Sequence, residues 1–331
     1  MRSADRSGSG GAEAPLLQVR HLHTWFPAGG RWMGTRRWIR AVDGVDLDLA
    51  RGEVLGIVGE SGSGKTTLGR SVLRLVEPTG GSVRLDDMEI LGLPPGRLRR
   101  LRRRMQIVFQ DPYASLSPRM QIRRILAEPL RLHGLIRRGQ EEAKVSELLR
   151  KVGLEPYFMH RYPHEMSGGQ RQRIAIARAI GMEPDLLVAD EPVSALDVSV
   201  QAQVLALFAA LQRREGIAML FISHDLSVVE RVADRIAVMY RGKIVEEGPA
   251  DGIIRSPLHP YTQALLSAVP DPDSGRRRER IRLRGDPPPA TEAPVGCPFA
   301  ARCPEVQELC RREPPPLEPK REGTRAACHF R

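Results

Sequence analysis

Gly59–Thr66 reads GESGSGKT. It directly follows the apolar run Glu53–Val58 (EVLGIV) and opens Thr66–Val76, which reads as a helix. A buried strand, a glycine-rich turn and a helix, in that order, make a phosphate cradle. The glycines let backbone N–H groups turn inward around phosphate oxygens, and the helix N-terminus adds positive potential. Lys65 supplies a point charge to the β- and γ-phosphates, and the Thr66 hydroxyl suits a Mg²⁺ ion. Gly59, Ser61, Gly62, Gly64, Lys65, Thr66 and Thr67 are the candidate contacts to the nucleotide.

Working outward, Asp185–Glu191 reads DLLVADE. Four apolar residues carry Asp190 to the end of a buried strand, where a parallel sheet opens its ligand crevice. Asp190 can complete the Mg²⁺ site, and Glu191 can act as general base on an attacking water. Met166–Gln170 reads MSGGQ and opens a second helix with few breakers. Backbone N–H groups there, with the Ser167 hydroxyl, form a second anion grip. Since Gly59–Thr66 is already a complete cradle, this second grip is expected to serve a nucleotide bound to another subunit. Its residues are Ser167, Gly168, Gly169 and Gln170.

Around these motifs the chain alternates strand and helix, the pattern of a mostly parallel sheet with helices packed on it. Expected strands are Leu16–Trp25, Val45–Leu49, Glu53–Val58, Met105–Phe109, Asp185–Ala189, Ala218–Ser223 and Arg235–Tyr240. Expected helices are Gly169–Ile180 and Val200–Arg213. Pro27–Arg40, rich in Gly and Arg, reads as a hairpin loop or insertion. A polar helical block at 111–165, with apolar spacing of three and four in Ile122–Leu132 and Glu141–Val152, reads as a subdomain. Residues 1–14 read as a flexible tail, and 15–250 as the main domain. Residues 251–331, rich in Pro, Arg and Cys, read as a small appended module that does not continue the sheet.

Length and composition set the bounds. The chain has 331 residues, enough for about two domains. It is 41% hydrophobic and 27% charged, and no apolar run approaches the ~18–20 residues that cross a bilayer. The N-terminus lacks the apolar stretch of a secretory signal. A membrane-spanning, collagenous, wholly disordered or disulfide-rich secreted protein is thereby disfavoured. The net charge of +11 is carried by arginine, since only five of the 51 basic residues are lysine. The basic runs Arg97–Arg104 and Arg276–Arg284 have no interleaved aromatics for base stacking, which favours a solvated helix face and tail over a nucleic-acid surface.

In combination, these motifs closely resemble ABC-transporter nucleotide-binding subunits. Gly59–Thr66 matches Walker A, Leu186–Glu191 Walker B, and Met166–Gln170 the signature, with Met166 where the family usually has Leu. Gln110 matches the Q-loop glutamine, Ser194–Asp197 (SALD) the D-loop, and His224 in FISHD the switch histidine. The resemblance implies an α/β fold: a P-loop NTPase, ABC-type nucleotide-binding domain with a helical subdomain and a small Cys-containing C-terminal extension. It implies ATP and Mg²⁺ as ligands and hydrolysis as the reaction. Gln110 would contact the metal or water and sense a membrane partner. His224 would bond the γ-phosphate and position the water of Glu191, and Asp197 would act across a dimer. The family also expects an aromatic on adenine; Trp38 is the candidate, with Trp25 and Trp32 as competitors.

Asp111–Met120 (DPYASLSPRM) and His259–Pro270 (HPYTQALLSAVP) resemble the oligopeptide/dipeptide importer subgroup, the first favouring its F-type ATPase. That resemblance implies import powered from the cytoplasmic face of the membrane, with peripheral attachment. The implied partners are a second ATPase subunit such as a D-type paralogue, two permeases and an extracytoplasmic substrate-binding protein, with no nucleic acid. Cys297, Cys303, Cys310 and Cys328 are spaced C-x5-C-x6-C-x17-C. Four thiolates there can hold Zn²⁺ or an iron–sulfur cluster, or remain unligated; the subgroup implies a 4Fe-4S cluster. An importer of another solute such as nickel, a non-transport ABC ATPase acting on nucleic acid or the ribosome, and a regulatory subunit without turnover are the rival readings. A single cassette, with only 102 positions between Lys65 and Ser167, disfavours translation- and repair-type relatives. Intact Glu191 and His224 disfavour the silent subunit.

Overall fold

The strands that end at the motifs are the most apolar in the chain, and they stack side by side. The computed structural model describes residues 14–28, 37–268, 281–283, 285, 288, 291–292, 295–321 and 323–331. Among these residues the strands are β1 (Leu17–Ala28), β2 (Arg37–Leu49), β3 (Val54–Val58), β4 (Gly80–Leu85), β5 (Met88–Glu89), β6 (Met105–Val108), β7 (Leu186–Asp190), β8 (Ala218–Ser223), β9 (Arg235–Tyr240), β10 (Lys243–Pro249), β11 (Glu318–Arg321) and β12 (Thr324–Ala326). One sheet runs β11-β12-β10-β9-β3-β8-β7-β6. Its β9-β3-β8-β7-β6 part is parallel. A second, antiparallel sheet runs β2-β1-β4-β5.

Every residue of β3, β7 and β8 is buried, as expected of parallel strands covered on both faces. Alternate side chains serve two cores. Leu55, Ile57, Val188 and Leu220 join Leu17, Val19, Leu47 and Leu68 between the sheets. Val54, Val58, Leu187 and Phe221 face the helical side with Ile174, Phe208 and Leu211. The helices Ile122–Leu132 and Glu141–Lys151 lie between β6 and β7 in the chain, as the sequence block at 111–165 implied.

Three expectations change, and several elements have none. Residues 37–40 belong to β2, paired with Trp25–Ala28, and so are strand where a loop or insertion was expected. The helix after the cradle is Lys65–Val72, shorter than Thr66–Val76, because Arg74 turns into the left-handed region at φ 50°. β4, β5, β10 and the helix Pro95–Leu101 give no clear periodicity in the sequence. Finally, the C-terminal segment does continue the sheet: β12 pairs antiparallel with β10, and β11 with β12. Ion pairs cross these strands. Glu247, buried in β10, meets Arg235 of β9 and Arg325 of β12. The basic run 97–104 is partly tied down, with Arg104 paired to Asp86 and Asp185 and Arg103 to Glu183. Most of the run 276–284, residues 1–13 and Trp32 lie outside the described residues.

Candidate nucleotide site

The carboxyl ends of β3, β6, β7 and β8 converge on one open cavity of about 860 Å³. Its lining includes Ser61, Gly62, Gly64, Lys65, Thr66, Thr67, Gln110, Glu191 and His224. Residues drawn from four separate stretches of sequence therefore share one crevice, where an open parallel sheet places its ligands. A second open cavity, about 650 Å³, lies by the helical block and is lined by Arg119, Arg123, Arg124, Arg131 and Arg138. It holds none of the candidate nucleotide-site residues, though Arg119 and Met120 end the stretch Asp111–Met120.

The cradle needs glycine for contact as well as for conformation. Gly59 sits at φ 155°, and a Cβ there would lie 2.1 Å from the Met239 carbonyl oxygen. Gly64 sits at φ 104°, and its Cβ would lie 1.9 Å from the Ala41 carbonyl oxygen. β9 and β2 thus press directly on the loop. Lys65 is buried, and its ammonium donates to the carbonyls of Gly59 (2.7 Å) and Glu60 (2.9 Å). Burial lowers its pKa, while Glu191, Asp190 and Glu60 pull it back up. Ser63, which the sequence reading passed over, is buried with its hydroxyl 3.5 Å from the ammonium.

The Thr66 hydroxyl donates to Asp190 Oδ1 at 2.7 Å. Asp190 Oδ2 is buried without a hydrogen-bond partner and has only the Arg70 guanidinium, 3.6 Å away. Burial raises the Asp190 pKa, against the Thr66 bond and Arg70. A hydroxyl joined to a carboxylate with one unsatisfied buried oxygen is a donor set that fits a hard divalent cation. Arg70 lies one helical turn beyond Thr66, a spacing that could have flagged it.

Glu191 follows β7 with its backbone in the left-handed region at φ 45°, a conformation that costs a non-glycine residue about 1–3 kcal/mol. The Glu191 N–H donates to Ile222 O of β8 at 2.9 Å, which holds the turn. Its Oε2 accepts from Gln110 Nε2 at 2.9 Å and lies 3.3 Å from His224 Nδ1. The three residues singled out in the sequence as base, Q-loop amide and switch imidazole therefore meet on one carboxylate oxygen.

The signature residues stand elsewhere. Ser167 caps the helix Gly168–Ile180, accepting from the Gln170 N–H, and the Gln170 side chain returns to the Ser167 N–H at 3.0 Å. Gly169 is a packing residue: a Cβ there would lie 2.4 Å from Val200 Cγ1. Asp197 caps the helix Val198–Glu215, and that bond from the Val200 N–H leads the causes lowering its pKa. None of Ser167, Gly168, Gly169, Gln170 or Asp197 lines the cavity. Nor does Trp38; its strand neighbours Ile39, Arg40 and Ala41 do. Trp25 carries the Arg40 guanidinium over its ring at 4.6 Å.

Two family models match this chain: ABC transporter over residues 42–194, and Oligopeptide/dipeptide transporter, C-terminal region, over 245–310. It is 49% identical over 317 residues to a probable peptide ABC transporter ATP-binding protein of Sinorhizobium fredii, covering 96% of this chain and 90% of that one. It is 47% identical over 319 residues to the oligopeptide transport ATP-binding protein AppF of Bacillus subtilis, covering 95% and 97%. The chain belongs to the ABC transporter ATP-binding subunits of the oligopeptide/dipeptide type. Its cassette is similar to the solved dimeric ATP-binding cassette MJ0796 bound to ADP and Pi, at TM-score 0.63 and 28% identity, covering 71% of this chain and 98% of that one. This ABC subunit is accordingly an ATPase, and no helix among its described residues is long and apolar enough to cross a membrane.

The four cysteines of this ABC subunit are free thiols and line one small pocket with His259 and Phe299. Burial, reinforced by the other three sulfurs, pushes the Cys297 thiol up to about 11. Among the described residues, no three His, Cys, Asp or Glu side chains are grouped to hold a single metal ion.

Proposed function

We propose that this subunit hydrolyses ATP to drive peptide import, working from the cytoplasmic face of the membrane against two permeases, with an extracytoplasmic binding protein supplying the substrate. The observation that carries the mechanism is the meeting of Gln110 and His224 on Glu191 Oε2, beside the Thr66–Asp190 pair. The C-terminal region and the names of the relatives carry the choice of peptide.

In this reading, Lys65 and the backbone N–H groups of the cradle hold the β- and γ-phosphates. Thr66 and Asp190, with Gln110, would hold Mg²⁺, which supplies charge neutralisation on those phosphates when bound. Glu191 accepts the proton of the attacking water through Oε1, because Oε2 is taken up by Gln110 and His224. Water oxygen bonds to the γ-phosphorus as the bond to the β–γ bridging oxygen breaks, giving ADP and phosphate. His224 orients the carboxylate and reaches the γ-phosphate. Adenine packs at the β2 end, where Ile39, Arg40 and Ala41 line the cavity, with Trp38 as the adjoining aromatic.

The second anion grip, Ser167 to Gln170, serves the nucleotide of a partner ATPase in a head-to-tail dimer, with Asp197 at the seam. Val198, next to Asp197, is 82% exposed, an apolar side chain for a partner face to cover. The Q-loop runs from Gln110 into Tyr113, which is 62% exposed beside the helical block, a route from site to permease. The thiol quartet is read as the seat of a 4Fe-4S cluster. The four cysteines lining one pocket support that reading, with Zn²⁺ as the alternative occupant. The proposed division is a tail at 1–14, the ATPase domain at 15–250 with its helical subdomain at about 111–165, and the extension at 251–331.

Affinity purification from native membranes in mild detergent tests the reading. Two multi-spanning permeases, a second ATPase and an extracytoplasmic binding protein are expected in the eluate. Ribosomal or nucleic-acid proteins without a permease would overturn it.

A further inference from the structure

We propose that Arg302, in the cysteine-bearing extension, is a positioning residue for the phosphate cradle. Glu60, the second residue of the cradle, is held by the extension at both ends. Its carboxylate receives a two-pronged grip from Arg302, Nη1 to Oε2 at 2.6 Å and Nη2 to Oε1 at 3.1 Å. Its backbone N–H donates to the Tyr261 hydroxyl at 2.8 Å. The same residue's carbonyl accepts from the Lys65 ammonium at 2.9 Å. The chain of contacts therefore runs from the extension through one residue to the lysine that meets the nucleotide.

The anchor is built to be stiff. The Arg302 side chain is only 8% exposed, unlike the many solvent-facing arginines of this chain. It leaves a tight turn in which the Cys303 and Arg302 N–H groups both donate to Phe299 O at 3.0 Å. Phe299 is buried against Tyr240, Tyr261 and His259, with ring centroids 5.3–5.6 Å apart. Tyr240 ends β9, the strand whose Met239 carbonyl crowds Gly59. A planar bidentate pair in a largely desolvated setting is stronger and more directional than an exposed ion pair. A freely solvated glutamate at position 60 would leave the loop's second residue untethered and the Lys65 acceptor free to move.

The proposal rests on Gly59–Thr66 being the nucleotide cradle, so Lys65→Ala is the control. It should abolish binding of a fluorescent ATP analogue; if it does not, the cradle reading itself fails. With that control in place, Arg302→Gln in the full transporter complex should raise KM for ATP about fivefold with kcat within about twofold. Arg302→Lys should recover part of the affinity, since one charged hydrogen bond remains. The charge-exchanged pair Arg302→Glu with Glu60→Arg should bind ATP more tightly than either single change. A purely structural staple would lower the thermal midpoint of Arg302→Gln with KM unmoved, and that result overturns the proposal. So does simple additivity of the exchanged pair.

Discussion

Glu191 shows what a single residue must tolerate to be useful here. Its left-handed backbone aims the carboxylate across the crevice, where Gln110 and His224 share Oε2. Replacing Glu191 with Gln keeps the shape and the contact to His224 but removes the proton acceptor. Turnover in the assembled complex should fall about 10²-fold or more, with the binding of ATP retained. Wild-type turnover in a phosphate-release assay would remove Glu191 from the role of base. The residues of this constellation were legible in the sequence because each belongs to a motif of its own. Arg70 and Ser63 were not singled out, though each neighbours a motif residue along the chain. Arg302 could not be, because 242 positions separate it from Glu60 and no local pattern spans such a gap.

Elements were legible in proportion to how strictly burial patterned them. β8 and β9 match the apolar runs residue for residue, since strands covered on both faces leave no room for polar interruption. β4 (GGSVRL) and β5 (ME) carry few apolar residues, so their order comes from pairing, β4 with β1 and β5 with β4 at the edge of the second sheet, rather than from their own composition. The helix Gly168–Ile180 raises a sharper point. Gly169 reads as part of an anion grip, yet the structure also gives it a packing reason: a Cβ would meet Val200 Cγ1 at 2.4 Å, where the N-terminal turns of two helices touch. Gly169→Ala should therefore destabilise the subunit by about 1–3 kcal/mol through overpacking. Adding Val200→Ala should recover most of that loss in a urea titration. If the second substitution recovers nothing, the cost of Gly169→Ala lies outside this contact.

At the scale of the whole molecule, the extension reads in sequence as an appendage but in space as part of the main sheet and core. Tyr261, Leu266 and Phe299 lie in the same apolar cluster as β3, β7 and β8, and β12 extends the sheet beyond β10. Short strands such as Thr324–Ala326 carry too little periodicity to announce this. His259 sits at the join, fully enclosed, with its Nδ1 accepting from the Tyr261 N–H at 3.1 Å and its ring also bonded to the Ala327 backbone. Burial pushes its pKa down from 6.5 to about 3. An unfolded chain takes up a proton near 6.5, whereas the folded one resists until about 3. The stability tied to the neutral ring is thus whole above pH 6.5 and drains as pH falls toward 3, by roughly 1 kcal/mol per pH unit. His259→Asn keeps an acceptor for the Tyr261 N–H and does not titrate. Between pH 6.5 and 4.5 the urea midpoint of the wild type should fall more steeply than that of His259→Asn. Glu246, held above the ordinary carboxyl value by burial, titrates in both proteins and cancels from the comparison. Parallel slopes would mean that the join between extension and cassette already opens in the folded state, letting the ring take its proton without unfolding.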